Sequence, residues 1–314
     1  MAERDRPPRD DAAAVAEATL RRTAGDRVRR DFPLAPMTSF RLGGPAAVYI
    51  EAASIEDLSG VGRAMRETGL PLLVIGKGSN LLVADRGFPG IVLRLGKAFR
   101  WAARDGDRLS AGGAMPLPAL AGVALAHRLA GLEFGVAIPA SLGGSVRMNA
   151  GAHGHSLDEV LESVEVFRTD LDRLETVPAG RAGFGYRESS LPADSVVTSA
   201  TVRLRPGDPA EIRAAMDEAR AWRRTTQPLA EPNCGSVFKN PPGDHAARLI
   251  EAVGGKTLSV GAARVSEKHS NFIVAGPGAT SHDVQRLMSI LQERVRERFG
   301  IRLEPEVRVV GAGP

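Results

Sequence analysis

The chain has 314 residues, of which 43% are hydrophobic and 25% charged, with a formal net charge of +4 and one cysteine. This composition is typical of a soluble globular protein with room for one large domain or two. No apolar run is long enough to cross a bilayer, and a single cysteine excludes an internal disulfide and a cysteine-based metal cluster. The scattered arginines and the aromatic content of only 4% favour an anionic small-molecule ligand over nucleic acid. Because a single cysteine fits a reducing compartment, we expect a cytoplasmic protein.

The first predicted region is a disordered extension over residues 1–28. Its first half is rich in Pro, Arg and Asp and lacks the continuous apolar stretch of a secretory signal. Residues 37–52 predict a loop that runs into a strand. A helix follows, with Ser54 as its cap, Asp57 three residues further on as in a capping box, and Gly69 at its end.

The middle of the chain alternates between apolar and amphipathic segments. Residues 70–76 form a continuous apolar run that predicts a buried strand, and residues 90–96 predict another strand. Between Met115 and Gly131 we predict a helix with prolines in its first turn and the glycine at its end. Antiparallel strands with one solvated face are predicted for three alternating segments: 161–170, 173–180 and 195–207.

A second region begins where the composition changes near Pro206, and we place it at residues 207–314. Its first helix has Asp208 as a cap and Pro209 at the first helical position. Further helices are predicted for residues 245–254 and 280–300, and a strand is predicted for residues 271–278. Residues 301–311 form the closing segment.

Two glycine-rich stretches are candidate ligand loops, because glycine lets the backbone approach a phosphate closely. "GKGSN" at 76–80 follows an apolar strand, but Leu81 replaces the last glycine of G-x-G-x-x-G and the P-loop spacing is absent. It is compatible with a pyrophosphate loop and with an ordinary turn. "IPASLGGSVRMNAGAHG" at 138–154 has four glycines, two serines and an asparagine, which favours a bound ligand.

The stretch "EPNCGSVFKNP" at 231–241 contains the only cysteine, Cys234, and Ser236 two residues later. Neither an aspartate nor a histidine lies within it to complete a hydrolase triad. Since no neighbouring histidine supports a thiolate, we interpret Cys234 as a small loop or core residue.

Five stretches resemble one protein family in order and spacing: "GKGSNLLV", "GLEFGVAIPASLGGSVRMNAGAHG", "YRESS", "GSVFKNP" and "LEPEVRVVG". Over residues 32–311 the chain resembles the UDP-N-acetylenolpyruvoylglucosamine reductase (MurB) family. The short passage from "YRESS" to the next strand is similar to the family's shorter type, which lacks a loop with a clamping tyrosine. Ala140 and His153 depart from the glycine and tyrosine that are usual there.

The resemblance implies an α+β fold with two domains. Residues 29–206 would form a vanillyl-alcohol-oxidase-like FAD-binding domain, and residues 207–314 a smaller α+β substrate-binding domain. Whether the last strand returns to the FAD-binding domain stays open.

The resemblance also implies the reaction. The family uses NADPH and FAD to reduce UDP-N-acetyl-3-O-(1-carboxyvinyl)-glucosamine to UDP-N-acetylmuramate in peptidoglycan synthesis. Hydride passes from flavin N5 to the vinyl carbon, and the resulting enolate is protonated. NADPH and the UDP-sugar would alternate in one cleft of a monomer, with no nucleic acid, metal or membrane insertion.

Three residues match the family's catalytic positions. Ser236 would protonate the enolate, Arg187 would contact the enolpyruvyl carboxylate, and Glu306 would be the active carboxyl group, with Glu304 as the alternative two positions earlier. On a strand the two glutamates would face the same way, and a useful carboxyl group beside an enolate needs a raised pKa. The alternatives are a turn serine, an arginine paired with Glu188, and exposed carboxylates.

The resemblance places the other ligands on loop residues. The predicted cofactor-binding residues are Gly76, Lys77, Gly78, Ser79, Asn80, Leu81, Ile138, Pro139, Ser141, Gly143, Gly144, Ser145, Asn149, Gly151 and Ala152. The predicted substrate-binding residues are Tyr186, Lys239, Asn240 and Arg224, with Arg223 as a further candidate. Near the end, "RVSEKHSNF" carries Lys268, His269 and Asn271, and we expect its lone histidine to be a surface or capping residue.

Two other functions are compatible with parts of this pattern. A flavin oxidase of an alcohol or sugar acid would keep the glycine-rich loops but would not need "GSVFKNP". A binding protein that has lost its chemistry would be expected to lack Arg187, Ser236 or Glu306, and all three are present.

Overall fold

The structure is a computed structural model that describes residues 9–311. Its α-helices are α1 Arg9–Ala24, α2 Ile55–Thr68, α3 Leu117–Ala126, α4 Leu142–Arg147, α5 Pro209–Thr226, α6 Ala246–Ala252 and α7 Ser281–Phe299. Its strands are β1 Val28–Pro33, β2 Pro45–Ala52, β3 Leu72–Val74, β4 Leu81–Val83, β5 Phe88–Leu95, β6 Ala102–Asp105, β7 Arg108–Gly112, β8 Leu129–Ala130, β9 Gly151–Ala152, β10 His155–Ser156, β11 Leu161–Arg168, β12 Arg173–Pro178, β13 Ser195–Arg203, β14 Arg205–Pro206, β15 Ser259–Val260, β16 Ala263–Val265, β17 Ile273–Ala275 and β18 Arg308–Val310. This mixture confirms the α+β class.

The chain divides into two compact units. Within the described residues, unit 1 comprises 9–32, 46–77 and 89–221, and unit 2 comprises 33–45, 78–88 and 222–311. One boundary between the two units falls within "GKGSN", between Lys77 and Gly78. Another falls inside α5, between Ala221 and Trp222, and not near Pro206 where the second region was predicted to begin. The assignment of FAD binding to 29–206 and substrate binding to 207–314 stays a prediction.

Unit 1 contains two main sheets. One has the strand order β1-β2-β5-β3, and the other is five-stranded with the order β12-β11-β13-β7-β6. The antiparallel pairing of β11 with β12 and β13 confirms the three predicted strands. Residues Leu109, Val164, Val166 and Val202 are fully buried on the core face of the second sheet, because alternate residues of a strand point to one side.

The helix α2 begins and ends as its sequence predicts. The Ser54 hydroxyl accepts a hydrogen bond from the Asp57 N–H, the Asp57 carboxylate accepts one from the Ser54 N–H, and Gly69 ends the helix with φ of 67°. Since each cap satisfies orphan backbone groups, the local sequence defines both ends.

The predicted disorder of residues 1–28 is wrong for residues 9–28. Helix α1 packs on α2, with Ala12, Ala16 and Leu20 buried. Alanine is the best helix former, and these residues recur every four positions, so they form one apolar stripe along the helix. The Pro, Arg and Asp content of the segment gives no sign of this stripe. Residues 1–8 of that prediction lie outside the described residues.

The helix α3 is shorter than predicted. It ends at Ala126, and the chain then turns at Arg128, which has φ of 57°, into the short strand β8. Gly131 therefore does not end the helix but follows a strand that pairs with β14.

Unit 2 packs α6 and α7 with a three-stranded sheet in the order β15-β16-β17. One face of α7 is buried at helical spacing, through Val284, Leu287, Leu291 and Val295. Strand β18 pairs in parallel with β4. The last strand thus pairs with residues from the range predicted for the FAD-binding domain, and both strands belong to unit 2.

Candidate active site

The glycine-rich stretch 138–154 of unit 1 contains the short helix α4, with a loop before it and the short strand β9 after it. Ser141 caps α4, since its hydroxyl accepts a hydrogen bond from the Gly144 N–H at 3.5 Å. Gly76 passes so close to Ser141 that a Cβ atom at position 76 would lie 2.3 Å from the Ser141 Oγ. The loops that carry Gly76 and Ser141 are therefore adjacent, and a larger residue at position 76 would force the Ser141 hydroxyl to move.

Two further residues of this stretch are buried polar groups. The Ser145 side chain has no exposed surface, and its hydroxyl has no hydrogen-bond partner among the described residues. Asn149 has φ of 40°, donates from Nδ2 to the Gly185 carbonyl at 3.0 Å, and accepts at Oδ1 from the Asp158 N–H at 3.1 Å. An orphaned buried hydroxyl is costly, so the Ser145 hydroxyl is a ready partner for a bound ligand.

Arg187 is held in an unusual backbone conformation. Its φ is 62°, in the left-handed region, and its Nη2 donates to the Gly151 carbonyl at 3.1 Å. The guanidinium lies 5.0 Å from the centre of the Tyr186 ring, which is 52% exposed. Left-handed backbone at a non-glycine residue costs on the order of 1–3 kcal/mol and is concentrated at functional sites.

Arg147 was not among the sequence-predicted site residues, yet it organises this part of unit 1. Its guanidinium donates to the carbonyls of Leu191, Pro192 and Ser195 at 2.6–2.9 Å. The Arg147 carbonyl in turn accepts from the Ser189 hydroxyl at 2.9 Å. With Asn149, it fastens the segment that carries Arg187 to the glycine-rich stretch. The only sequence signal was a charged residue inside a glycine-rich loop.

Ser236 in unit 2 lies on an extended segment between two others. On one side Ser236 bridges Phe272, and on the other the Val237 carbonyl accepts from the Glu306 N–H at 2.9 Å. The Ser236 side chain is partly exposed, and within residues 9–311 its hydroxyl makes no hydrogen bond to another protein group. A turn serine bonded to the local backbone is therefore not what the structure shows.

The turn before Ser236 is built by Asn233 and Gly235. The Asn233 amide donates to the carbonyls of Pro228 and Glu231, and its Oδ1 accepts from the Gly235 N–H at 2.9 Å. Gly235 has φ of 83°, although a Cβ atom there would meet nothing within 4 Å. Glycine is thus needed for the backbone conformation and not for space.

Glu306 is brought next to the Ser236 segment by its backbone. Its carbonyl accepts from the Asn80 Nδ2 at 3.0 Å, and Arg308 donates its N–H to the Asn80 carbonyl at 3.1 Å. The prediction that Glu304 and Glu306 share one face of a strand is wrong, because β18 begins only at Arg308. Pro305, which has no N–H to donate, interrupts the strand pattern there.

The predicted substrate-binding residues of unit 2 have structural partners as well. The Lys239 Nζ lies 3.7 Å from the Glu304 carboxylate, and the Asn240 Oδ1 accepts from the Ala246 N–H at the start of α6. Arg224 is exposed, and its carbonyl accepts from the Lys268 Nζ at 2.9 Å. Of these three predicted contacts, Lys239 is nearest to Ser236 along the chain.

Of the two interpretations left open for Cys234, a loop residue or a core residue, the structure shows the core residue. It is 4% exposed within the apolar cluster of unit 2. Burial, with a smaller effect of the Glu306 charge, raises the pKa of the Cys234 thiol well above its usual range. The thiol is neutral at physiological pH and is not a nucleophile.

The described residues fit an FAD cofactor better than a metal. No group of three or more His, Cys, Asp or Glu side chains suited to a metal ion occurs within residues 9–311. Unit 1 instead offers the orphaned Ser145 hydroxyl and backbone close to Gly76, which suit an uncharged ring and a phosphate. Along the same described stretch, no helix combines the length and apolar character needed to cross a membrane.

Comparison with known proteins agrees with these features. Residues 46–171 match a family model described as an FAD binding domain, and residues 227–310 match the C-terminal domain of UDP-N-acetylenolpyruvoylglucosamine reductase. The fold and the site therefore define an FAD-binding oxidoreductase.

Relatives over the whole length specify the family. A UDP-N-acetylenolpyruvoylglucosamine reductase of Anaeromyxobacter sp. is 47% identical over 294 residues, covering 94% of this chain and 92% of its own length. One from Symbiobacterium thermophilum is 46% identical, with coverages of 92% and 94%. The crystal structure of the Thermus caldophilus enzyme matches with a TM-score of 0.78 and 37% identity, covering 90% of this chain and 99% of that one. The chain belongs to the UDP-N-acetylenolpyruvoylglucosamine reductase family.

Proposed function

We propose that this protein reduces the enolpyruvyl ether of UDP-N-acetylglucosamine to UDP-N-acetylmuramate, with NADPH as the reductant. Family membership supports the reaction. The observation in this chain that carries it is the partly exposed Ser236. Its hydroxyl makes no hydrogen bond to another group of the described residues, and its segment is hydrogen-bonded to that of Glu306. FAD would supply hydride to the terminal vinyl carbon, and the orphaned Ser145 hydroxyl with the backbone near Gly76 and Ser141 would hold it.

Ser236 is proposed to complete the reduction as a proton donor. When the vinyl carbon gains hydride and becomes a methyl group, the electron pair of the double bond moves to the carbon beside the carboxylate. The Ser236 O–H breaks, its proton forms the new C–H bond at that carbon, and the alkoxide regains a proton from solvent. A hydroxyl group is acidic enough because an enolate carbon is far more basic, so its position matters more than its pKa.

Arg187 is proposed to stabilise the charge that develops on the substrate. The enolate spreads a second negative charge onto the carboxylate, and a planar guanidinium that is already in place favours this state over the starting ether. The bond from Nη2 to the Gly151 carbonyl holds one edge of the guanidinium. Tyr186, beside the guanidinium, is proposed as a substrate contact.

Glu306 is proposed as the active carboxyl group. A carboxyl group assists an enolate only when it is protonated or when it orients another donor, so we propose a raised pKa for Glu306 in the substrate complex. Glu304 is the weaker candidate, because it is more exposed and pairs with Lys239. Lys239, Asn240 and Arg224 are proposed to contact the UDP portion.

NADPH and the UDP-sugar are proposed to use one cleft in turn, which would give two half-reactions with ping-pong kinetics. Each can be followed by colour in the absence of oxygen. The purified protein should be yellow, bleach with NADPH and recover its colour on addition of the enolpyruvyl substrate. Bleaching without recovery would contradict the proposed substrate and favour a flavin oxidase or a degenerate protein. The monomeric state and the cytoplasmic location stay predictions.

The proton-donor role has its own test. Ser236→Ala should bleach with NADPH at nearly the wild-type rate but recover colour slower by about 10²- to 10⁴-fold, the range of a lost general acid. Ser289→Ala is the matched control, because Ser289 is an exposed serine of α7 whose hydroxyl, in the part of the chain that the structure describes, bonds only the Gln285 carbonyl. If Ser236→Ala slowed both half-reactions equally, the serine would be structural and not a proton donor.

A further inference from the structure

Asn271 makes an unusual set of contacts with the residues directly after Ser236. Its side chain is 2% exposed. Its Oδ1 accepts from the Phe238 N–H at 3.0 Å, and its Nδ2 donates to the Phe238 carbonyl at 2.8 Å. Its own carbonyl accepts from the Val237 N–H at 2.9 Å. Three hydrogen bonds therefore join one residue to the backbone of two.

These bonds replace a sheet ladder. The segment 236–239 lies outside the strands β1–β18 and pairs with neighbouring segments at single residues, at Ser236 with Phe272 and at Phe238 with Pro305. A side-chain amide has the donor and acceptor of a peptide group, so Asn271 acts as the missing strand partner of Phe238. On the other side, Lys239 donates its N–H to the Glu304 carbonyl at 2.8 Å. The backbone beside Ser236 is thus held from both sides.

Asn271 is itself held by its own turn. Its N–H donates to the His269 Nδ1 at 3.2 Å, and the Phe272 N–H donates to the His269 carbonyl at 2.9 Å. Burial lowers the pKa of His269, which favours the neutral ring whose Nδ1 can accept. The Phe272 carbonyl accepts from the Ser266 N–H at 2.8 Å, so both ends of the turn are fastened.

We propose that Asn271 is a positioning residue for Ser236. It does not touch the reacting atoms. Its side-chain amide fixes the position of the Ser236 hydroxyl by hydrogen-bonding both the N–H and the carbonyl of Phe238. This inference rests on the proposed function, because it assumes that Ser236 delivers a proton. A displacement of about 1 Å of a catalytic group costs on the order of 100-fold in rate, so the proton-transfer half-reaction is the sensitive step.

The test separates the two half-reactions in Asn271→Ala and Asn271→Asp. The Asp variant keeps the volume and the acceptor but loses the donor to the Phe238 carbonyl. Both should bleach with NADPH within about twofold of wild type and recover colour with the enolpyruvyl substrate about 10- to 100-fold more slowly. The solvent deuterium isotope effect on recovery should rise, because protonation becomes the slow step.

A double-mutant cycle with Ser236→Ala makes the inference specific. If Asn271 acts by placing the Ser236 hydroxyl, Asn271→Ala should slow recovery much less, by no more than about twofold, once that hydroxyl is absent. Independent, multiplying effects of the two changes would overturn the proposal. Asn271→Asp repeats the cycle should the Ala variant fail to fold.

A matched control removes a different buried hydrogen bond from unit 2. Ser281 is 1% exposed, and its hydroxyl accepts from the Asp85 N–H at 3.0 Å. Ser281→Ala should lower the melting temperature without changing the balance of the half-reactions. If it slowed recovery selectively as well, general loosening and not positioning would explain Asn271→Ala. If wild type fails to recover colour, the proposed function fails. If wild type recovers and both Asn271 variants match it, only this inference fails.

Discussion

Gly76 offers the sharpest test of the predicted cofactor loop. A Cβ atom at this position would lie 2.3 Å from the Ser141 Oγ and 3.4 Å from the Ser141 Cβ. A carbon and an oxygen in contact stand about 3.3–3.6 Å apart, so in Gly76→Ala the hydroxyl must move away by about 1 Å. That hydroxyl caps α4 by accepting from the Gly144 N–H. Loss of a serine cap costs about 0.5–2 kcal/mol.

We expect Gly76→Ala to weaken FAD binding by about 2- to 30-fold, the change in dissociation constant that 0.5–2 kcal/mol produces. The physical reason is that the N–H groups around α4, which we predict to meet the cofactor, lose their orientation. The apoprotein can be titrated with FAD while the quenching of flavin fluorescence is recorded. Urea unfolding of the same apoprotein measures how much of the loss is general stability.

Two companion variants make the reasoning refutable. Ser141→Gly removes the atom that the new methyl group meets, and glycine caps a helix with a loss of only a few tenths of a kcal/mol. The double variant with Gly76→Ala should therefore recover most of the FAD affinity. Gly122→Ala is the control, because a Cβ atom at this position in α3 meets nothing within 4 Å. Wild-type affinity in Gly76→Ala, or a double variant as weak as that single one, would show that this contact does not shape the FAD site.

Three further predictions concern charge and protonation. Arg187→Lys should slow colour recovery by about 10²-fold or more, because the point charge of lysine cannot reproduce the planar fork of arginine. Bleaching by NADPH should change little, and equal slowing of both steps in stopped-flow traces would contradict this. Cys234 should resist alkylation by iodoacetamide in the native protein, since burial raises the pKa of its thiol, and rapid labelling without unfolding would show otherwise. Burial alone would raise the pKa of the Asp57 carboxyl, but the hydrogen bonds from Arg27 and from the Ala53 N–H outweigh it and lower that pKa. A carboxyl group whose pKa is lower in the folded protein stabilises it above the unfolded pKa of about 4, and this stability is lost as pH falls through the folded pKa. Asp57→Asn should thus lower the free energy of unfolding by about 1–3 kcal/mol at pH 7 and by less at pH 3, and an equal loss at both pH values in urea titrations would refute the linkage.

Local signals in the sequence predicted the elements whose causes are local. The ends of α2 were predicted from Ser54, Asp57 and Gly69, because capping needs only residues a few positions apart. The strands of the five-stranded sheet were predicted from period-two alternation. Helix α1 was missed because its apolar stripe consists mainly of alanine, which composition does not separate from a polar extension.

The partners of the candidate site residues could not be predicted in this way. Arg147 bonds carbonyls 44–48 positions away, and Asn271 bonds Phe238 at a separation of 33 residues. Bonds from a side chain to a distant backbone leave no periodic trace in the sequence. The motif "LEPEV" predicted two carboxyl groups on one strand face, but the strand there begins only at Arg308, after Pro305.

Cys234 and Ser236 show how one short stretch separates a core residue from a reactive one. Residues two apart on a regular strand would face the same side, and both would then be buried or both exposed. Gly235, with φ of 83°, breaks that alternation, and Asn233 holds the turn by accepting the Gly235 N–H. The thiol therefore joins the apolar cluster as a neutral group, whereas the hydroxyl two positions later stays partly exposed and has no hydrogen-bond partner between residues 9 and 311. Because a Cβ atom at position 235 would meet nothing nearby, glycine is favoured there by its backbone conformation, and we infer that the position of Ser236 depends on it.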